Sequence, residues 1–125
     1  MPDASRTIYV VDDDDVVRDS LRALLETQEF VVEDFSSGVD FFTRRDSEAA
    51  CLVLDIHMPD MTGIDVLRRL RQGGDPLPVI MVTGRWDASV RAQADALGVV
   101  AFLDKPVSPA RLFSEIRKAM ATPSS

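Results

Sequence analysis

Polar side chains that could do chemistry stand at the ends of four apolar segments of this sequence: Asp12 and Asp13, Asp55, Thr83, and Lys105. Asp55 is the most informative of them, because residues 51–54 before it are apolar without alternation, as in a strand buried on both faces. This strand stops at the acid, and a loop with proline and glycine follows. Ligands of open parallel sheets bind at the carboxyl ends of the strands, so we expect Asp55 to belong to a functional site.

The residue types at these four ends suit phosphoryl chemistry. Carboxylates of Asp12, Asp13 and Asp55 in one pocket would repel one another, which calls for a cation. Mg²⁺ is the natural choice, since it takes oxygen ligands and keeps waters and phosphate oxygens in its shell. A carboxylate can attack phosphorus when metal and ammonium neutralise the transferring group, and Lys105 can supply the ammonium. The Thr83 hydroxyl can donate to a phosphate oxygen.

The elements that position these residues are five predicted strands, which alternate with five predicted helices. The hydrophobic pattern predicts strands at residues 7–11, 30–35, 51–54, 79–82 and 99–103. Helices are predicted at 16–28, 38–44, 64–72, from 87 or 89 to 97, and from 109 to about 120. The alternation indicates an α/β fold with a parallel sheet covered on both faces. In the flavodoxin-like order 2-1-3-4-5, strands one and three are neighbours at the switch point.

Helix starts are predicted from capping residues: Asp14 or Asp15, Ser36, Asp87 or Ser89, and Ser108 with Pro109. In the second helix, Val39 and Phe42 are expected to face inward, and the pattern leaves Phe41 open. The stripe of the last helix is Leu112, Phe113, Ile116 and Met120. The second strand is more polar and suits a sheet edge.

Composition narrows the class of protein. A chain of 125 residues predicts one domain, and its net charge of -7 argues against nucleic acid or an anionic membrane surface as the direct partner. The single cysteine, Cys51, excludes a disulfide framework and is expected to be a small buried hydrophobe. No apolar run approaches the ~20 residues that span a bilayer, so we expect a cytoplasmic protein.

The motifs together resemble the receiver domain of two-component response regulators. The matching features are the acid pair Asp12-Asp13, Asp55 within LDIHMPDMTG, Thr83-Gly84 after VIMV, and Asp104-Lys105-Pro106 after VVAFL. The stretches VVDDDDVVRDSL and MPDMTGIDVL are similar to the FixJ-type (NarL/FixJ-like) subfamily. The resemblance runs from Thr7 to about Ala121. It implies a receiver domain over residues 1–121, with residues 122–125 as a tail or the start of a linker.

The resemblance implies a role for each site residue. Asp55 would accept the phosphoryl group from a histidine kinase, and Thr83 and Lys105 would contact the phosphate. Mg²⁺ would be held by Asp12, Asp13, Asp55 and the backbone carbonyl of His57. The Lys105–Pro106 peptide bond would be cis. Such a domain is a switch that catalyses only its own phosphorylation and dephosphorylation.

The resemblance also implies an output route. Thr83 would couple to Phe102, an aromatic residue that turns inward on activation, and the face of helix 4, strand 5 and helix 5 would change its partner preference. A phosphorylation-dependent homodimer through helix 4 and strand 5 is expected. Its apolar area would come from Val90, Ala94 and Leu97, and its cross-pairing charges are Arg91 and Asp95. The family usually joins this domain to a helix-turn-helix transcriptional output domain, which these residues do not include.

The sequence departs from the family at two places, and two other classes of protein are weighed against it. Val107 stands where an aromatic is common, and Arg85-Trp86 is bulky for a loop that is often small. A Mg²⁺-dependent phosphohydrolase would need a second acid two residues after Asp55, where His57 stands. A flavodoxin-like nucleotide or flavin module would need a phosphate-binding loop after the first strand, where four aspartates stand instead.

Overall fold

The computed structural model describes residues 6–45 and 48–121. Its strands are β1 Thr7–Val11, β2 Val31–Phe35, β3 Cys51–Asp55, β4 Val79–Thr83 and β5 Ala101–Asp104. Its helices are α1 Asp15–Glu26, α2 Gly38–Arg44, α3 Gly63–Gln72, α4 Ala88–Ala96 and α5 Pro109–Ala121. The strands form one sheet in the order β2-β1-β3-β4-β5, and every neighbouring pair is parallel. The predicted fold class and strand order are confirmed.

The three central strands are buried along their whole length, as their unbroken apolar sequences predict. Two clusters of buried side chains, one centred on Tyr9, Leu54 and Met81 and one on Val10, Val53 and Ile80, occupy the alternating positions of these strands. The sheet therefore has a core on each face. In β2, Val31 is 47% exposed, which agrees with the predicted edge position.

Cys51 lies in β3 with 0% exposure and is a free thiol. Burial raises the pKa of this thiol to about 12, so it is inert at neutral pH. The interpretation as a small buried hydrophobe is confirmed.

Helix α2 differs from the prediction in its cap and its orientation. The cap is Ser37, whose hydroxyl accepts from the backbone N–H of Asp40 at 2.9 Å, and not Ser36. Gly38 lies so close to Met61 and Val66 that a Cβ there would stand 2.8 Å from each side chain. This close approach turns the Gly38 side of the helix inward.

The inward side of α2 therefore carries Phe41, which is fully buried and makes edge contacts with Tyr9 and Phe35. Val39, expected to face inward, is 54% exposed, so that prediction was wrong. Phe42 is partly buried against the core. In α5, Leu112 and Ile116 are buried as expected, and Phe113 and Met120 are partly buried.

Strand β5 begins two residues later than predicted. The Val99 backbone N–H still donates to the carbonyl of Ala94, as part of the turn that ends α4. Regular pairing with β4 then begins at Ala101 opposite Ile80. None of the helices in the described ranges combines the length and apolar composition that crossing a membrane requires.

Candidate functional site

Three carboxylates meet where β1 and β3 end side by side. Val11 pairs with Leu54, so the next residues along the two strands, Asp12 and Asp55, emerge next to each other. Asp12, Asp13 and Asp55 each offer a carboxylate oxygen, and these oxygens lie within 4.8 Å of one another. Asp12 is 1% exposed and Asp55 3% exposed. The parallel register thus places two buried acids and one exposed acid in one pocket.

Lys105 completes this group from the end of β5. Its Nζ lies 3.1 Å from an Asp12 oxygen and 3.1 Å from an Asp55 oxygen, so one ammonium bridges the two buried acids. The Lys105 backbone N–H donates to the Thr83 carbonyl at 2.7 Å, and the Lys105–Pro106 peptide bond is cis. The lysine is therefore fixed by its backbone on one side and by carboxylates on the other.

The electrostatics of the pocket are unbalanced. Burial, followed by the charge of Asp12, raises the pKa of Asp55, and Lys105 opposes this rise. Burial lowers the pKa of Lys105, but its hydrogen bonds to and attraction by Asp12 and Asp55 outweigh burial and leave the pKa raised. One ammonium facing three carboxylates leaves a negative excess. The pocket is suited to a further cation with a preference for oxygen.

The loop after Asp55 turns back sharply, which sets α3 directly beside the site. The Gly63 N–H donates to the Ile56 carbonyl at 2.8 Å, and a Cβ on Gly63 would collide with the backbone of Asp55 and Ile56. Thr62 and Asp65 then cap α3 reciprocally. In this loop the side chain of His57 is exposed to solvent.

Thr83 lies at the same edge of the sheet, one strand further along. It is fully buried, and in the β3–β4 register its predecessor Val82 pairs with Asp55. The Thr83 hydroxyl donates to the Arg85 carbonyl at 2.9 Å and accepts from the Arg85 N–H at 3.0 Å. Among the described residues, no hydrogen bond joins this hydroxyl to Asp55. Thr83 thus holds the following loop in a tight turn.

Phe102 lies in β5 and is 6% exposed. The ring of Trp86 packs edge-on against it at 6.3 Å between centroids, and the Arg91 guanidinium lies over both rings. Trp86 itself is 61% exposed. The bulky Arg85-Trp86 loop, noted as a departure, therefore covers the aromatic residue of β5.

The structure brings together four of the predicted site residues by direct side-chain proximity: Asp12, Asp13, Asp55 and Lys105. Sequence reasoning missed Arg18, whose Nη1 donates to the Asp12 carbonyl at 2.7 Å. Its side chain is only 14% exposed. The available signal was its position three residues after Asp15, where an arginine can pair back toward the acidic run.

Comparison with known proteins places this geometry in a family. The sequence model described as "Response regulator receiver domain" matches residues 8–117. Response regulator protein TodT of Pseudomonas putida is 36% identical over 121 residues, which are 96% of this chain and 53% of that protein. Transcriptional regulatory protein FixJ of Bradyrhizobium diazoefficiens is 37% identical over 114 residues, covering 90% of this chain and 56% of that protein.

Solved structures agree. FixJ-N superposes with a TM-score of 0.85 at 31% identity, covering 100% of this chain and 99% of that one. Response regulator StyR superposes with a TM-score of 0.86 at 35% identity, covering 94% of this chain and 60% of that one. The chain spans about half the length of the curated relatives it matches. It belongs to the family of response regulator receiver domains of two-component systems.

Proposed function

We propose that the chain is a phosphorylation switch in which Asp55 accepts a phosphoryl group from a histidine kinase. The observation that carries the proposal is the placement of Asp55, a buried carboxylate whose oxygen lies 3.1 Å from Lys105 Nζ and beside Asp12 and Asp13. This placement gives one nucleophile, one ammonium and two further acids. The proposed site of action is the cytoplasm.

The donor set fits Mg²⁺. Three carboxylates within 4.8 Å of one another, two of them buried, offer hard oxygen ligands around a negative excess. Asp12, Asp13 and Asp55 would hold the ion, with the His57 carbonyl as a further oxygen donor. The exposed imidazole of His57 is not assigned as a ligand. When bound, Mg²⁺ supplies positive charge that stabilises the phosphoryl oxygens.

In the proposed transfer, Asp55 is the nucleophile and Lys105 stabilises the charge of the transferred group. An Asp55 oxygen forms a bond to phosphorus while the nitrogen–phosphorus bond to the donor imidazole breaks, and that nitrogen then takes a proton. Lys105 stabilises the negative charge on the phosphoryl oxygens through its ammonium. Later attack of water on phosphorus returns Asp55 and inorganic phosphate, so turnover is confined to the domain itself.

The proposed output begins at Thr83. To donate to a phosphoryl oxygen on Asp55, its hydroxyl must give up the hydrogen bond to the Arg85 carbonyl. That release frees the loop carrying Trp86, which packs on Phe102. Phe102 is already 6% exposed, so in this scheme the larger surface change comes from Trp86.

The α4 surface differs from the one expected for a dimer. Ala94 is fully buried, Val90 and Leu97 pack partly buried against the core, and Arg91 pairs within the helix with Asp95 at 3.6 Å. Among the described residues from the Trp86 loop to the end of β5, the most exposed large apolar side chains are Trp86 and Val100, at 61% and 39%. A phosphorylation-dependent homodimer through α4 and β5 would therefore use these two residues.

The acceptor assignment is tested by incubating the chain with acetyl phosphate and Mg²⁺ and measuring intact mass. We expect one added phosphate in the parent and none in Asp55→Asn. Asp60→Asn alters an exposed acid of the same loop and should be labelled like the parent. Equal labelling of the Asp55→Asn variant would refute the assignment.

The output scheme is tested with beryllofluoride, which stands in for the aspartyl phosphate. Sedimentation velocity should show the parent and Thr83→Ser, which keeps the hydroxyl, shifting from monomer toward dimer. Thr83→Ala should bind the analogue and lose most of the shift. If Thr83→Ala dimerises as readily as Thr83→Ser, the hydroxyl does not couple the site to the surface.

A further inference from the structure

Arg18 connects three elements around the acidic site through one guanidinium. Its Nη1 donates to the Asp12 carbonyl at 2.7 Å, and its Nη2 donates to Asp15 in the first turn of α1. Its Nε lies 3.6 Å from an oxygen of Asp34 in β2. The Arg18 side chain as a whole is 14% exposed. It ties the end of β1 to both α1 and β2.

The carbonyl that Arg18 contacts belongs to the peptide linking Asp12 to Asp13. Because that peptide is planar, its orientation fixes where the Cα of Asp13 lies relative to the end of β1. Asp12 has other restraints, since its carboxylate accepts from the Asp14 N–H at 2.9 Å and from Lys105. Within residues 6–45 and 48–121, no group donates a hydrogen bond to the Asp13 carboxylate. Asp13 is therefore held through its backbone, by the Arg18 contact on one side and by the turn that the Asp14 N–H closes on the other.

We propose that Arg18 is a positioning residue of this site: it holds the Asp12–Asp13 peptide so that both carboxylates face one divalent cation. The inference rests on the proposed function, because it assigns Arg18 a role toward the Mg²⁺ that the donor set fits. Arg18 touches neither the ion nor the phosphoryl group in this role. It acts through the backbone of the two acids.

Charge and positioning predict opposite signs, which makes the role testable. A guanidinium near the pocket repels a dication, so its charge alone predicts tighter Mg²⁺ binding after Arg18→Ala. Positioning predicts weaker binding, because losing an outer partner of metal ligands typically reduces metal affinity about 10–100-fold. The direction of the change therefore separates the two explanations.

Arg22 provides a matched control one turn further along α1. Arg22 carries the same charge as Arg18 and shares its partner Asp34. The Arg22 Nη1 lies 2.6 Å from the other oxygen of that carboxylate. Among the described residues it makes no contact with Asp12. Replacing Arg22 removes a positive charge and a link between α1 and β2 without touching the Asp12–Asp13 peptide.

The experiment is calorimetric titration of Mg²⁺ into chelator-treated protein, with circular dichroism and urea unfolding as checks of the fold. We expect Arg18→Ala to bind Mg²⁺ at least about 10-fold more weakly. Arg18→Lys, which keeps the charge and one donor, should recover part of the loss, and Arg22→Ala should bind as the parent does or slightly more tightly. Should Arg18→Ala not fold, Arg18→Lys is compared with Arg22→Lys, and only the former should weaken binding.

Three results would overturn the inference. Unchanged or tighter binding by the Arg18 variants would leave only a charge effect, and an equal loss in the Arg22 variants would indicate general packing of α1. Absence of Mg²⁺ binding by the parent would overturn the inference and the metal assignment together. Normal Mg²⁺ binding without labelling by acetyl phosphate would refute the acceptor role of Asp55 alone.

Discussion

Charged side chains at the two ends of the sheet have different kinds of partner. At the carboxyl end, three acids face one ammonium, and the pKa of Asp55 is raised by burial and by Asp12. At the amino end, the guanidinium of Arg71 donates to carbonyls of residues that precede β4 and β5, at 2.8 to 3.0 Å: Asp75, Leu77 and Leu97. Each of these carbonyls accepts from Arg71, whereas Asp12 and Asp55 share the single ammonium of Lys105.

This contrast distinguishes charge that stabilises the fold from charge reserved for a ligand. Arg71 joins the end of α3, the segment before β4 and the end of α4, although burial lowers its pKa. At the carboxyl end, Asp12 accepts one backbone N–H, from Asp14, and the acids otherwise face one another and Lys105. We therefore expect substitutions at the amino end to lower stability, and substitutions of site acids to change chemistry at little cost to stability.

The largest effect is expected for Arg71→Ala. The change removes three part-buried hydrogen bonds to backbone carbonyls, each of which contributes about 1 kcal/mol, so we expect the unfolding free energy to fall by roughly 3 kcal/mol. Urea unfolding measures it. Arg69→Ala is the control, because this neighbouring arginine is exposed and lies over the ring of Phe42 at 4.3 Å. Arg69→Ala should lower the unfolding free energy by about 1 kcal/mol or less. Similar values for the two variants would break the contrast.

Most of the fold was predictable because its signals are local and repeated. Apolar runs without alternation identified β1, β3 and β4, and all three are buried throughout. The acidic run was also divided correctly: Asp12 and Asp13 lie in the pocket, and Asp14 caps α1 by accepting from the Val16 and Val17 N–H groups. The position of each acid relative to the end of β1 and the start of α1 was sufficient to separate the pocket acids from the helix cap.

The errors arose where tertiary packing decided the outcome. Helix α2 has only 7 residues, so its apolar side could not be assigned by periodicity. The close approach of Gly38 to Met61 and Val66 turned Phe41 inward and Val39 outward. The spacing of Arg18 from Asp15 indicated only an ion pair along α1, and its contact with the Asp12 carbonyl was missed because backbone partners leave no pattern in a sequence. The burial of Ala94 on α4 likewise depended on packing against the sheet.

The smallest effect is expected for the stability of Asp55→Asn, and its sign is the sharper test of the contrast. Burial is the largest cause of the raised pKa of Asp55, followed by the charge of Asp12, with Asp13 adding to it and Lys105 opposing it. The ionised carboxylate is therefore a net cost to the folded state when no metal is bound. In chelator at pH 7, we expect the variant to unfold at a slightly higher urea concentration than the parent. The gain in unfolding free energy should be below about 1 kcal/mol.

The pH dependence follows from the same shift. Because the folded protein keeps the Asp55 proton to a higher pH than the unfolded chain, the parent loses stability as pH rises from about 4 through the raised pKa. The variant lacks this loss, so its advantage should be present at neutral pH and disappear below about pH 4. Asp60→Asn, at an exposed position of the same loop, is the control measured beside it. If Asp55→Asn instead unfolds at a lower urea concentration at pH 7, the attraction of Lys105 outweighs burial and repulsion. The carboxyl end would then stabilise the fold as the amino end does.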